Sequence, residues 1–381
     1  MPARSAKPLL RGVAMAAMSF TIAFIGIFMG GCAGGVESTD LARIKLPPGF
    51  RIAVYAEVPS ARSMALAPPL GGMFVGTRGN TVYAVFDRDR DGRAETVRPI
   101  TRTLNVPNGI AWHDDYLYIA EQHRIIRYRP ALAHLAPLRP EVLLTGLPNF
   151  SHHGWRYAAI GPDARLYVTI GSPCNICDVG GVQGTILRMG LDGKGAEVFA
   201  VGIRNSVGID FHPKTGEAFF TDNGADRLGD NIPADELNHA PRKGMNFGFP
   251  YYAGGRTVSP NYRDRKRPRD AVFPVMDFGA HVAALGIHFY RGSMFPPEYR
   301  GDAFVAQHGS WNRTVPDGYR VMRIRFDADG KPVGKEIFAD GWLVAGSAWG
   351  RPVDIKELPD GSLLVSDDRA GVIYRITYEG R

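Results

Sequence analysis

Helical periodicity is what this sequence most lacks. Past its N-terminal segment, the 381-residue chain shows no sustained apolar repeat of roughly 3.6 residues, which argues against a helical bundle, and no strand–helix–strand alternation appears. Cysteine is scarce: only Cys32, Cys174 and Cys177 occur. The last two form a Cys-x-x-Cys in "SPCNICDVGG", but no second Cys-x-x-Cys or His-x-x-x-His accompanies them, so a four-ligand zinc site is not expected. Without a strand–helix–strand context, a thioredoxin-type redox role is not favoured either. In an oxidising compartment the pair reads best as a local disulfide pinning a loop. Concentrated positive charge is also missing. The formal net charge is +7, but the basic residues are dispersed. The densest run, "YRDRKRPRD" (Tyr262–Asp270), reads as a solvated loop. No aromatic-interleaved basic patch or helix-turn-helix pattern exists, so nucleic-acid binding is not expected. The charge balance suits an anionic ligand or an anionic membrane surface.

What is present begins with a targeting segment. Arg4, Lys7 and Arg11 precede an apolar run, Val13–Met29, and then "MGGC" ending at Cys32. Residues 1–32 have the layout of a secretory signal and resemble a bacterial lipoprotein signal, in which Cys32 becomes the lipidated first residue. A plain signal peptide or an uncleaved anchor would export the domain equally. Export to the periplasmic side with a lipid anchor in the membrane is the expectation, with residues 33–45 as a tether.

The remainder, residues 46–381, repeats one phrase six times: an apolar run, a turn with Gly, Pro or Asp, and a strand ending in a small or acidic residue. The copies are Ser63–Thr77, Gly109–Glu121, Tyr157–Ser172, Gly208–Gly224, Gly286–Ser310 and Val353–Asp368. Alternating apolar residues between turn signals predict antiparallel strands. Repeats of roughly 40–50 residues read as propeller blades. The fold class is therefore all-β, a six-bladed β-propeller with four-stranded antiparallel blades, and a β-sandwich is the weaker alternative. "GFRIAVYAEV" (Gly49–Val58) has no blade of its own and is expected to close the ring. A long insertion is expected over Asp226–Asp277. "DRDRDGRAE" (Asp87–Glu95) has calcium-loop spacing, but Arg98 stands at its twelfth position, so a surface turn is favoured.

From Asn149 onward the chain resembles the glucose/sorbosone dehydrogenase family, soluble six-bladed quinoproteins that use pyrroloquinoline quinone (PQQ). It is most similar to the L-sorbosone dehydrogenase-like branch. The resemblance rests on "HHGWRYAAIGPDARLYVTIGSPCNIC", "GIRNSVGIDFHPKTGEAFFTDNGAD", "DELN", "KGMNFGFP", "HGSWNR" and "GRPVDIKELPDGSLLVSDD"; the first two blades match in style only. It implies oxidation of an alcohol or hemiacetal carbon of an aldose or sorbosone-like sugar. Such chemistry needs a base, a bound quinone and a cation.

The resemblance implies a histidine base just before the third blade, which is His152 or His153 here. Arg204 and Asn205 would meet the quinone, and Val207 stands where some members place Gln. The backbone carbonyls of Gly224 and Ala225 would bind calcium, with Asn223 facing the same pocket. Asp235 and Glu236 would form an acidic pair near the cofactor and a second, structural calcium. Trp311, Arg313 and Arg351 would contact the cofactor, whose three carboxylates call for cations. His281 falls in a matching segment without an implied role. Electrons would pass to an external cytochrome or quinone. Two other functions fit the scaffold: a calcium-dependent lactonase, and a non-catalytic lipoprotein binding a glycan or protein. Arginines in three blades favour the dehydrogenase.

Overall fold

The computed structural model describes residue 36 and residues 38–129 and 140–380. The signal segment 1–32 and Cys32 lie outside the described residues. Among the described residues, no helix is long and apolar enough to cross a membrane.

Six sheets form the propeller expected from the repeats. Blade one runs from its inner strand outward as Ala61–Ala67, Gly72–Thr77, Val82–Phe86 and Thr96–Thr101. Blade two is Gly109–His113, Tyr116–Ala120, Arg124–Tyr128 and Glu141–Thr145. Blade three is Ala158–Ile160, Arg165–Ile170, Thr185–Gly190 and Glu197–Val201. Blade four is Ile209–Phe211, Ala218–Asp222, Ala234–Ala240 and Met276–Ala280. Blade five is Ala284–Phe289, Ala303–Gln307, Arg320–Phe326 and Pro332–Ala339. Blade six is Pro352–Glu357, Leu363–Asp367 and Val372–Tyr378, completed on its outer side by Phe50–Glu57. That last pairing is antiparallel, Phe50 opposite Tyr378 through Glu57 opposite Val372. The ring thus closes as the unassigned N-terminal segment suggested.

The region expected as one long insertion contains the third strand of blade four. The true insertion lies between Ala240 and Met276. Its strand Met245–Asn246 adds in parallel to the edge of blade three, so it bridges two blades. Within the segment expected as a tether, Leu41 and Ile44 pack against the last two blades, and Lys45 exchanges backbone hydrogen bonds with Asp340.

The packing explains the strand sequences. Side chains alternate between the two faces of a strand, and each face of a blade meets a neighbour. Phe219 packs toward blade five, whereas the adjacent Phe220 packs toward blade three. One apolar cluster fills each of the six blade interfaces.

The Gly-Ile that recurs at or near the start of the inner strands of blades two, four and five also has a steric cause. A Cβ on Gly109 would lie 2.7 Å from Arg156 O, one on Gly208 2.1 Å from Leu285 O, and one on Gly286 2.6 Å from Asp354 Cα. Inner strands converge on the axis there, and only a hydrogen fits. Gly286→Ala should therefore lower stability by about 1–3 kcal/mol, as overpacking against backbone does. Urea unfolding would measure this, and an unchanged midpoint would show that the inner strands can part freely.

Candidate active site

The loops at one end of the ring enclose a cavity of about 540 Å³, within the usual size range of small-molecule sites. Its lining follows a rule of position. Arg62, His152, His153, Arg204, Asn205, His281 and Arg351 sit at or before the start of an inner strand, and Arg78, Asn223, Gly224 and His308 come just after a second strand.

His153 is buried, at 6% exposure, and takes a left-handed φ of 49°, an uncommon conformation for a residue with a side chain. Its Nδ1 lies 3.0 Å from Ser172 O. Donation to that carbonyl fixes the tautomer and leaves Nε2 unprotonated. Burial, then the Arg204 charge, lowers the imidazole pKa to about 2, so it is neutral throughout the ordinary pH range. His152 is exposed and stands beside it at a 4.0 Å ring separation; burial and Arg204 lower its pKa too. Arg156 is a clamp. Buried at 2% exposure, it donates to Gln122 O, Pro148 O and His153 O, holding the loop that carries both histidines.

Arg204 is also fixed. Nε donates to Asn175 O at 2.9 Å, Nη1 to Asn223 O at 3.1 Å, and Nη2 to Asn175 Oδ1 at 2.7 Å and Asp226 Oδ2 at 2.8 Å. These take four of the five guanidinium N–H groups, leaving one on Nη1. Asp222 caps the same turn by accepting from the backbone N–H of Arg204, Asn205 and Asn223. Burial pushes its pKa upward, and burial followed by Asp222 pushes up that of Glu236, which faces it across the strand pair.

Three unsatisfied features face the cavity region. Asn205 Oδ1 and Arg351 Nε are buried without a hydrogen-bond partner. The backbone N–H groups of Gly224 and Ala225 are taken by Asp235 Oδ1 and Ala253 O, yet neither carbonyl accepts a hydrogen bond among the described residues. Asp235 lines the cavity beside them, and burial raises its pKa to about 6.

Nine of the twelve residues expected at the site line this cavity: His152, His153, Arg204, Asn205, Asn223, Gly224, Asp235, Trp311 and Arg351. Trp311 is at the rim, 65% exposed, within cation–π range of Arg227. Ala225 is fully buried and contributes backbone only. Glu236 neighbours Asp235 on one strand, so its side chain points away from the cavity, accepting from Gly255 N and Asn238 Nδ2. Arg313 is corrected. Its guanidinium serves the carbonyls of Asp230, Ala280 and Val315 and does not line the cavity.

The blade-one side of the site was not legible in the sequence. Arg62, buried, pairs with Asp368 at 2.9 Å, and His308 Nε2 meets the same carboxylate at 2.8 Å. Burial alone would raise the Asp368 pKa, but His308 and Arg62 hold it far below the usual carboxylate range. Arg78 stacks over Trp155 at 4.7 Å. The one signal was Arg62 at the head of the apolar strand "ARSMALA". Cys174 and Cys177 are joined as a disulfide, the reading favoured for this pair over a zinc site or a redox pair.

The glucose/sorbosone dehydrogenase family pattern matches residues 120–375. An uncharacterized protein of Borreliella burgdorferi is 35% identical over 88% of this chain and 91% of its own length. Among solved structures, the PQQ domain of pyranose dehydrogenase from Coprinopsis cinerea, in its holo form, superposes with a TM-score of 0.74 at 20% identity, covering 88% of this chain and 97% of that one. The soluble aldose sugar dehydrogenase of Escherichia coli, in its apo form, gives 0.66 at 15% identity, covering 86% and 99%. The structural likenesses speak for the fold.

Proposed function

Because the chain belongs to the glucose/sorbosone dehydrogenase family, we propose that it is a PQQ- and calcium-dependent dehydrogenase that oxidises an aldose or a similar sugar aldehyde. The observation that carries this reading is the placement of a neutral imidazole of fixed tautomer, His153, in one cavity with a fixed cation, Arg204.

The residues present fit the two groups. A carboxylate-bearing quinone would be held by Arg351, whose Nε lacks a partner, by the remaining Nη1 hydrogen of Arg204, and by Asn205. Calcium, a hard cation that takes backbone carbonyls and carboxylates, would be held by Gly224 O, Ala225 O and Asp235. When bound, the quinone supplies the two-electron acceptor and calcium the polarising charge. The chain's own part is proton transfer and charge stabilisation. His153 Nε2 accepts the hydroxyl proton of the sugar, while its Nδ1 stays bound to Ser172 O. Arg204, locked to Asn175 and Asp226, keeps a positive charge near the reacting carbon without reorganising. Trp155 and Trp311 offer apolar faces to a sugar ring.

In this proposal the enzyme is exported and anchored through lipidated Cys32. It passes electrons to an external cytochrome or quinone. The N-terminal layout of residues 1–32 supports export.

The test is a titration of the purified protein with PQQ, with and without calcium, followed by dye-linked oxidation of an aldose panel. Calcium-dependent PQQ binding with turnover is the expected result, and Asp235→Asn should weaken the calcium requirement's midpoint about tenfold or more, as loss of a charged oxygen ligand does. A protein that takes up no PQQ at any calcium concentration would overturn the proposal.

A further inference from the structure

Asn175, the second residue of the disulfide-closed turn Cys174–Cys177, does not line the cavity; it stands behind Arg204. It nevertheless makes four hydrogen bonds to Arg204 and Asp226. Its carbonyl and Oδ1 accept from Arg204 Nε and Nη2 at 2.9 and 2.7 Å. Oδ1 also accepts from Asp226 N at 2.8 Å, and Nδ2 donates to Asp226 O at 3.1 Å. Asp226 in turn pairs with Arg204 at 2.8 Å and accepts from Asn312 of the blade-five loop at 3.2 Å. The same short loop reaches the other half of the site. Ser172, two residues before Cys174, holds His153 Nδ1 by its carbonyl and donates its own N–H to Arg204 O at 2.8 Å; its hydroxyl donates to Cys174 O at 2.8 Å.

From this we propose that Asn175 is a positioning residue for the reaction, and that the Cys174–Cys177 bridge exists to hold it in place. The segment Ser172–Cys177 then works as one frame fixing the distance between imidazole and guanidinium. The physical reason is preorganisation. Asn175 must present its carbonyl and its side chain to Arg204 together, and a two-residue gap closed by a covalent bridge restricts the backbone freedom that this would otherwise cost. Two of the four guanidinium hydrogen bonds of Arg204 come from this residue, one from its carbonyl and one from its side chain. Removing the side chain leaves Nη2 with Asp226 alone, and the backbone of Asp226 loses both of its Asn175 partners.

The proposal rests on the dehydrogenase reading for its effect on turnover, but not for its effect on Arg204. The experiment therefore has two readouts on the full chain. The first needs no cofactor: the rate at which phenylglyoxal modifies Arg204, mapped by mass spectrometry, with Arg156 as a buried control. The second is kcat and KM of the PQQ- and calcium-loaded enzyme. Asn175→Ala should expose Arg204 to modification while Arg156 stays protected, and should lower kcat about 10- to 100-fold with little change in KM, the cost of a small misplacement of a reacting group. Asn175→Asp keeps the Oδ1 acceptor for Arg204 but loses the Nδ2 donor to Asp226 O, so it should restore protection and kcat in part, between Asn175→Ala and wild type. Replacing both cysteines with serine should reproduce the alanine effect in part, and adding it to Asn175→Ala should do little more, because the two act through one contact. Arg204 equally protected in wild type and Asn175→Ala would overturn the proposal. Full additivity would overturn the role given to the bridge. If Arg204 is released but the wild type binds no PQQ, the positioning stands and the dehydrogenase reading fails.

Discussion

His153→Ala should lower kcat by about two to four orders of magnitude, the usual worth of a positioned general base, while PQQ and calcium affinity stay nearly unchanged. His152→Ala should cost far less. The two histidines are adjacent, and their sequence context does not separate them. The structure does: His153 is buried and held at Nδ1 by Ser172, whereas His152 is exposed. The measurement is single-turnover oxidation by both variants, loaded with PQQ and calcium. Near-normal turnover by His153→Ala with loss in His152→Ala would reverse the assignment. A pH consequence accompanies it. The imidazole pKa is lowered from 6.5 to about 2 in the folded chain. As pH falls below 6.5, the unfolded chain takes up a proton that the folded chain refuses, so this group's effect is to destabilise the fold progressively toward acid. His153→Ala should flatten that part of the acid unfolding profile even though the enzyme is inactive.

Phe50→Ala should lower stability by about 3 kcal/mol, the low end for a phenylalanine truncation because the ring is only partly buried. Phe50 opens the closing strand and contacts Phe295, Tyr299, Phe338 and Tyr378 at ring separations of 4.7, 5.3, 5.1 and 4.9 Å. Three of these aromatic rings belong to blade five and one to blade six, so a single side chain joins the closure to both. Thermal unfolding should move down by roughly 4 °C, given the usual relation between free energy and midpoint in a chain of this size. A midpoint within about 1 °C of wild type would mean that the closing strand is held by its backbone ladder alone.

Sequence and structure agree most where chemistry is local. The Gly-Ile openings, the turn residues and the alternating strands are each set within a few positions, and together they gave the propeller. The closing strand was readable because an unpaired edge needs a partner. The site was readable from the third blade onward, where motifs lie next to the strands that aim them. What was not readable there has identifiable reasons. Asp235 and Glu236 are neighbours on a strand, so only one can face the cavity, and strand register decides which. Arg62 and Asp368 are 306 positions apart; nothing in either neighbourhood announces a pair that exists only once the ring is shut. Arg313 shows the converse. A cation in a matching segment was assigned to the cofactor, but carbonyls of its own and neighbouring loops occupy it.

Ring closure also sets an order of events. Residues 50–57, nearly the first of the propeller to be synthesised, find their partner only in residues 372–378, nearly the last. Until then blade six lacks its outer strand and the first and sixth blades lack the cluster between them. A partly made chain is therefore an open arc with two adhesive ends. The loop to be closed spans nearly the whole molecule, which favours slow folding and makes a chain truncated at its C-terminus more apt to bind another copy than to settle as a smaller ring.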